Sequence, residues 1–136
     1  MRPAFLLLVL VAAAGAAVAA PAAAKDGVRA TLDKPVRLGT APGRTITVEW
    51  HLFDRNGGRF GASGIYLRVS RCGRKPMTVY ATDLGSGGYS ARVRVPKGGI
   101  RKLMVGLEGW QIIGDKQRRH DAFFGFDPPL VRRCSS

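Results

Sequence analysis

From Val28 onward, apolar and polar side chains alternate with a period of two. That is the pattern of strands burying one face, not the 3.6-residue period of helices. Val28, Ala30 and Leu32 alternate with Arg29, Thr31 and Asp33, and Val36 and Leu38 continue after Pro35. The clearest run follows, with Ile46, Val48, Trp50 and Leu52 on one side and Thr45, Thr47, Glu49 and His51 on the other. Trp50 is therefore expected to anchor a core. Next, Ile65, Leu67 and Val69 point inward while Tyr66, Arg68 and Ser70 point outward. Met77, Val79 and Ala81 repeat the pattern, as do Tyr89, Ala91, Val93 and Val95, and then Leu103, Val105 and Leu107; a last β-like segment lies around Phe123, Phe124 and Phe126.

Turn residues separate these runs at 54–64 (DRNGGRFGASG), 72–76 (CGRKP), 85–88 (GSGG) and 96–99 (PKGG). Seven or eight short strands between such turns predict an all-β protein, an immunoglobulin-like β-sandwich of about seven strands. No segment has the period or length of a useful helix. The position of Trp50 ahead of Cys72 departs from the Cys, Trp, Cys order of antibody domains.

Residues 1–24 have a different character. Arg2, the apolar run Phe5 to Val11 and an alanine-rich stretch form the three regions of a signal peptide. Ala22-Ala23-Ala24 satisfies the small-residue rule before Lys25, whereas a cut after Ala20 would be blocked by Pro21. The expected organisation is a cleaved leader, 1–24, and a single domain, 25–136. An uncleaved anchor is the alternative, but the strongly hydrophobic part falls short of the ~20 residues a spanning helix needs. No later stretch could cross a membrane. The expected location is secreted or extracytoplasmic, and there Cys72 and Cys134, the only cysteines, are expected to pair.

Lys and Arg number 22 against 9 Asp and Glu, for a net charge of +13. Such a surface attracts anions.

The stretch from Thr45 to Trp110 resembles the YtkA/FixH-like family of small exported immunoglobulin-like domains. The residues that carry the resemblance are the strand Ile46 to Phe53 with its Gly-rich turn Asp54 to Gly58, Gly61-Ala62 before Ile65, Gly88-Tyr89-Ser90-Ala91, and Val95-Pro96-Lys97-Gly98-Gly99 before Leu103 and Val105. The resemblance implies a non-enzymatic domain outside the cytoplasmic membrane. Some relatives are associated with copper handling or oxidase assembly. This chain departs from them, since Lys25-Asp26-Gly27 carries no histidine and no Met or His cluster follows.

Catalytic motifs are absent. His51 and His120 are the only histidine bases, and neither has a supporting motif; Gly61-Ala62-Ser63-Gly64 lacks the spacing of a nucleophile elbow and no helix follows it. Glu49 and Glu108 are the only glutamates, and most aspartates stand in turns. A phosphate loop at Gly85-Ser86-Gly87-Gly88 would need a helix behind it, and a strand follows instead.

Arg68, Arg92 and Arg94 share outward parity and would form a basic face if their strands lay in one sheet; Arg118, Arg119, Arg132 and Arg133 add charge near the C-terminus. Guanidinium forks suit phosphate or carboxylate, so an anionic envelope polymer, a lipid headgroup or an acidic protein surface is the expected partner. Nucleic acid is disfavoured, because the protein reads as exported and lacks interleaved exposed aromatics. The leading expectation is a secreted, non-enzymatic binding or accessory module with no cofactor. The alternative is a copper-trafficking or oxidase-assembly accessory using His51, Met104 and His120.

Overall fold

In a computed structural model that describes residues 27–135, the alternating segments form strands and no helix occurs among the described residues. The expected leader, 1–24, lies outside that range. The strands are β1 (Arg29–Leu32), β2 (Thr45–Phe53), β3 (Ile65–Arg71), β4 (Arg74–Tyr80), β5 (Thr82–Gly85), β6 (Gly88–Arg94), β7 (Ile100–Leu107), β8 (Trp110–Ile113), β9 (Lys116–Arg119) and β10 (Ala122–Val131). Among the described residues ten strands thus replace the seven or so expected. The additional ones are β5, β8 and β9, and every residue of these three is exposed. A strand with no buried face leaves no apolar alternation to read.

Eight strands form one sheet in the order β4-β3-β7-β10-β1-β2-β6-β5, while β8 and β9 make a separate two-stranded ribbon. All neighbours in the large sheet are antiparallel except β1 and β10, which meet in parallel with Ala30 opposite Phe126. That junction divides the strip into two four-stranded halves, and β10 shifts register between Gly125 and Leu130 to reach both. The strip curls until inward residues of both halves, including Leu67, Val69, Val93 and Val105, enter one core. Closure stops short of a barrel, because β4 and β5 are the free ends and the chain passes between them through Ala81 alone.

Trp50 sits at the centre of this core, fully buried. Its ring stacks on Tyr89 at 5.9 Å and meets the edge of Phe126 at 6.0 Å. Its indole N–H has no acceptor among the described residues, an offset against the apolar area the ring hides. A disulfide joins Cys72, in the turn between β3 and β4, to Cys134 beyond β10, with the Cα atoms 5.7 Å apart. It fastens the tail to the middle of the chain.

One outward position is not exposed as alternation alone implies. Tyr66 leaves the outer side of β3 yet is only 3% exposed. Its register neighbour on β7 is Gly106, which has no side chain, so the phenol ring lies flat across that glycine. The rings of Tyr80 and Phe123 flank it at 5.5 and 6.2 Å.

Candidate functional site

The free ends of the strip leave an open side between β4 and β6, and two depressions lie in line along it. The first, about 390 Å³, has Val79 and Ala91 at its floor, Tyr80 and Leu84 as walls, and Arg92 at its rim. The second, about 560 Å³, is floored by Met77 and Val95 and bordered by Pro42, Arg71, Arg94 and Lys97. Among the described residues no acidic side chain lines either one. Arg71 is partly committed, donating from Nε and a terminal nitrogen to the carbonyl oxygen of Lys75 at 2.9 and 2.5 Å. Arg92, Arg94 and Lys97 are exposed and form no ion pair among the described residues.

Arg92 and Arg94 stand two residues apart on β6, so their side chains leave the same side of the strand about 7 Å apart. An extended acidic chain carries its own same-side groups at that interval. Their guanidinium groups can fork onto carboxylates or phosphates, while the half-buried Met77 and Val79 offer apolar contact beneath. The arrangement is a basic-rimmed groove, open to solvent along its length.

Arg68 does not join it. Four strands separate β3 from β6 in the sheet order, and because both strands turn their other side to one core, Arg68 projects from the opposite half. There its guanidinium lies 4.6 Å from the centre of the Phe123 ring, a cation–π contact. The three arginines that share parity in sequence therefore do not share a face.

His51, Met104 and His120 are likewise kept apart. His51 projects from β2, with Nδ1 2.6 Å from the carboxylate of Asp33 and Nε2 against the backbone of Gly88. Met104 projects from β7 in the other half, and His120 is exposed between β9 and β10. No serine oxygen is hydrogen-bonded to either histidine among the described residues.

A denser polar cluster lies at the base of the β8–β9 ribbon. Arg119 donates two bonds to Asp121, at 2.9 and 3.0 Å, and its guanidinium also lies 3.0 Å from Glu108 and 3.2 Å from the Tyr80 hydroxyl. Tyr80 in turn donates to Glu108 at 2.5 Å, and the Tyr66 hydroxyl donates to Asp121. The Arg119 fork is the largest cause holding the Asp121 carboxyl down, to about 2, with the Tyr66 hydroxyl assisting. Burial, followed by the bond to Asp121, pushes Tyr66 up to about 12.

A depressed carboxyl stabilises the fold above its unfolded value of 3.8 and loses that contribution as pH falls through about 2. A raised phenol contributes below 10.0 and loses its share as pH rises through about 12. Urea midpoints measured against pH should therefore fall at both ends. In Asp121→Asn the fall between pH 4 and 2 should be shallower, and an unchanged acid limb would assign it to other groups.

Arg92 and Arg94 were readable from the sequence as outward cations. Arg71 and Lys97 were not, since they join the groove only through strand order. The ribbon was also missed, although Gly114-Asp115 is a two-residue hairpin signal that could have revealed it. Comparison with protein-family models, with curated proteins and with solved structures finds no match to this chain.

Proposed function

We propose that this protein is an exported, non-enzymatic binding module of immunoglobulin-like topology, akin to the YtkA/FixH-like domains, that takes an extended acidic partner along its open basic side. The topological part of the reading is supported by strand order. Strands β1, β2, β6 and β5 follow the A, B, E, D sequence of one immunoglobulin layer, and β3, β7 and β10 follow C, F, G, with β4 as C′. On that reading the β8–β9 ribbon is an elaboration of the F–G loop, one of the loops that carry recognition in variable domains.

The single observation that carries the binding part is the groove itself, with Arg92, Arg94, Lys97 and Arg71 around an apolar floor and no acid among them. Like charges held together without counter-charges cost folding energy that an acidic partner relieves. The partner class is an anionic polymer of the cell envelope or an acidic protein segment in extended conformation. An isolated sugar acid would span only one of the two depressions.

Polyglutamate is a suitable probe. Titration calorimetry at low salt should show binding that weakens steeply between about 0.05 and 0.3 M salt, as exposed charges are screened. Arg92→Ala with Arg94→Ala should weaken it about tenfold or more, each lost fork contributing roughly 1 kcal/mol. Polyglutamate binding that is absent at low salt, or untouched by the double substitution, would remove the groove from the proposal.

A further inference from the structure

The β8–β9 ribbon stands off the rest of the fold. Among the described residues it pairs with no other strand, and every residue from Trp110 to His120 is exposed. Among them, Trp110 is 53% exposed, Ile112 77% and Ile113 53%. Gly114, with φ at 65°, opens the two-residue loop at the position where a II′ turn takes glycine. A lone two-stranded ribbon is marginal in water. This one is held at its base by the Arg119 fork on Asp121 and by the His120 N–H, which donates to the Gly109 carbonyl at 2.8 Å.

Large apolar side chains placed on a pinned, solvent-surrounded ribbon ask for an occupant. Consecutive strand residues point to opposite faces, so Ile112 and Ile113 leave the ribbon on opposite sides and its tip is apolar on both. A flat protein surface laid against one face leaves the other isoleucine in water, whereas a fluid medium that surrounds the tip covers both. Trp110 lies on the face of Ile112, about 7 Å further from the tip. That is the offset at which an indole occupies the lipid–water boundary above deeper aliphatic side chains. Lys116 and Arg118 lie on the face of Ile113 through their pairing with Ile113 and Gln111. Their stems can run along the apolar tip while their charges remain among headgroups. Asp115 at the turn is the one acid of the ribbon, and it keeps immersion shallow.

We propose that the β8–β9 ribbon is a membrane-docking wedge, seating Ile112, Ile113 and Trp110 in the interfacial layer of an anionic bilayer. The proposal is independent of the groove. The net charge of +13 draws the protein to such a surface, and the ribbon supplies the apolar contact that charge alone lacks.

The chain contains a built-in probe. Trp50 and Trp110 are its only tryptophans; Trp50 is fully buried, and residues 1–24 contain none, so a change in emission on adding lipid reports the ribbon. With vesicles of phosphatidylglycerol in phosphatidylcholine, Trp110 emission should shift to the blue. Lipids brominated near the top of the acyl chain should quench it more than lipids brominated near the methyl end. Vesicles of phosphatidylcholine alone should leave the spectrum close to its free position.

Ile112→Ser with Ile113→Ser should reduce partitioning about tenfold or more, because two exposed isoleucines are withdrawn from the interface. Both positions are solvent-exposed, so circular dichroism should be unchanged. Binding contributed by residues 1–24 is common to both chains and cancels in the comparison. Arg92→Ala with Arg94→Ala should retain the Trp110 shift, which keeps this test separate from that of the groove. An unshifted Trp110 spectrum on phosphatidylglycerol vesicles overturns the proposal, as does an equal shift in the double serine variant. A lipid-free shift that grows with protein concentration also overturns it and assigns the ribbon to pairing between copies of the chain.

Discussion

Replacing Cys72 and Cys134 together by serine is expected to lower the melting temperature by about 15–20 °C. The bond spans 62 residues of sequence, and closing a loop of that length removes unfolded-state entropy worth about 4 kcal/mol. For a domain of this size total stability is about 5–15 kcal/mol, so the loss is a large share of what there is. The native state suffers locally as well. Cys134 follows the end of β10, and Arg132 beside it bonds the carbonyl oxygen of Ile100 at 3.0 Å, a contact that the tethered tail holds in place. Calorimetry of the double serine variant, against the parent with and without reductant, checks the prediction. Reduced parent and double variant should melt together, whereas a shift under about 5 °C would mean that the unfolded chain is constrained by other means.

Gly106→Ala is expected to cost about 3 kcal/mol, unusually much for adding one methyl to a strand. The added Cβ would lie 2.2 Å from the ring of Tyr66, so the ring must leave its position. A surface tyrosine would swing aside cheaply. This one is 3% exposed, flanked by Tyr80 and Phe123, and tied at its hydroxyl to Asp121. Displacement therefore adds a broken hydrogen bond to the overpacking, and the Arg119 cluster loses one of its members. Two readouts separate this account from a generic strand effect. The Tyr66 phenol, pushed up to about 12 by burial and its bond to Asp121, should return toward 10 in absorbance titrations, and Tyr66→Ala should absorb much of the penalty in a double-mutant cycle. Additive penalties for the two substitutions would mean that the ring is not what the methyl meets.

Gly106 also shows why some of the fold was hidden from inspection of the chain. Parity correctly assigns Tyr66 to the outer side of β3, but parity counts only along one strand. Whether an outward side chain meets water depends on its lateral neighbours, and the glycine that receives the ring lies forty positions away on β7. The basic residues behaved similarly. Arg68, Arg92 and Arg94 each stand on the outward side of their strands, as alternation implied. Their separation onto opposite halves arises from the order β3-β7-β10-β1-β2-β6, which no local pattern encodes. Arg71 entered the groove from the end of β3, past a shift in its register with β7, and Lys97 from a turn; at neither place does periodicity carry information.

Alternation determined that the protein is built of strands and that Trp50, Leu67, Val93 and Val105 lie inside, and the cysteine count determined that Cys72 and Cys134 are the pair to join. These follow from local geometry, because a strand's two-residue repeat and a simple count of thiols need no knowledge of neighbours. The curling of the strip, the open side between β4 and β6, and the isolation of the β8–β9 ribbon were decided only in three dimensions. Each is a relation between segments distant in sequence, fixed by which backbone edges find partners and which apolar faces find cover. The groove is the edge left unpaired, and the ribbon is the apolar surface left uncovered.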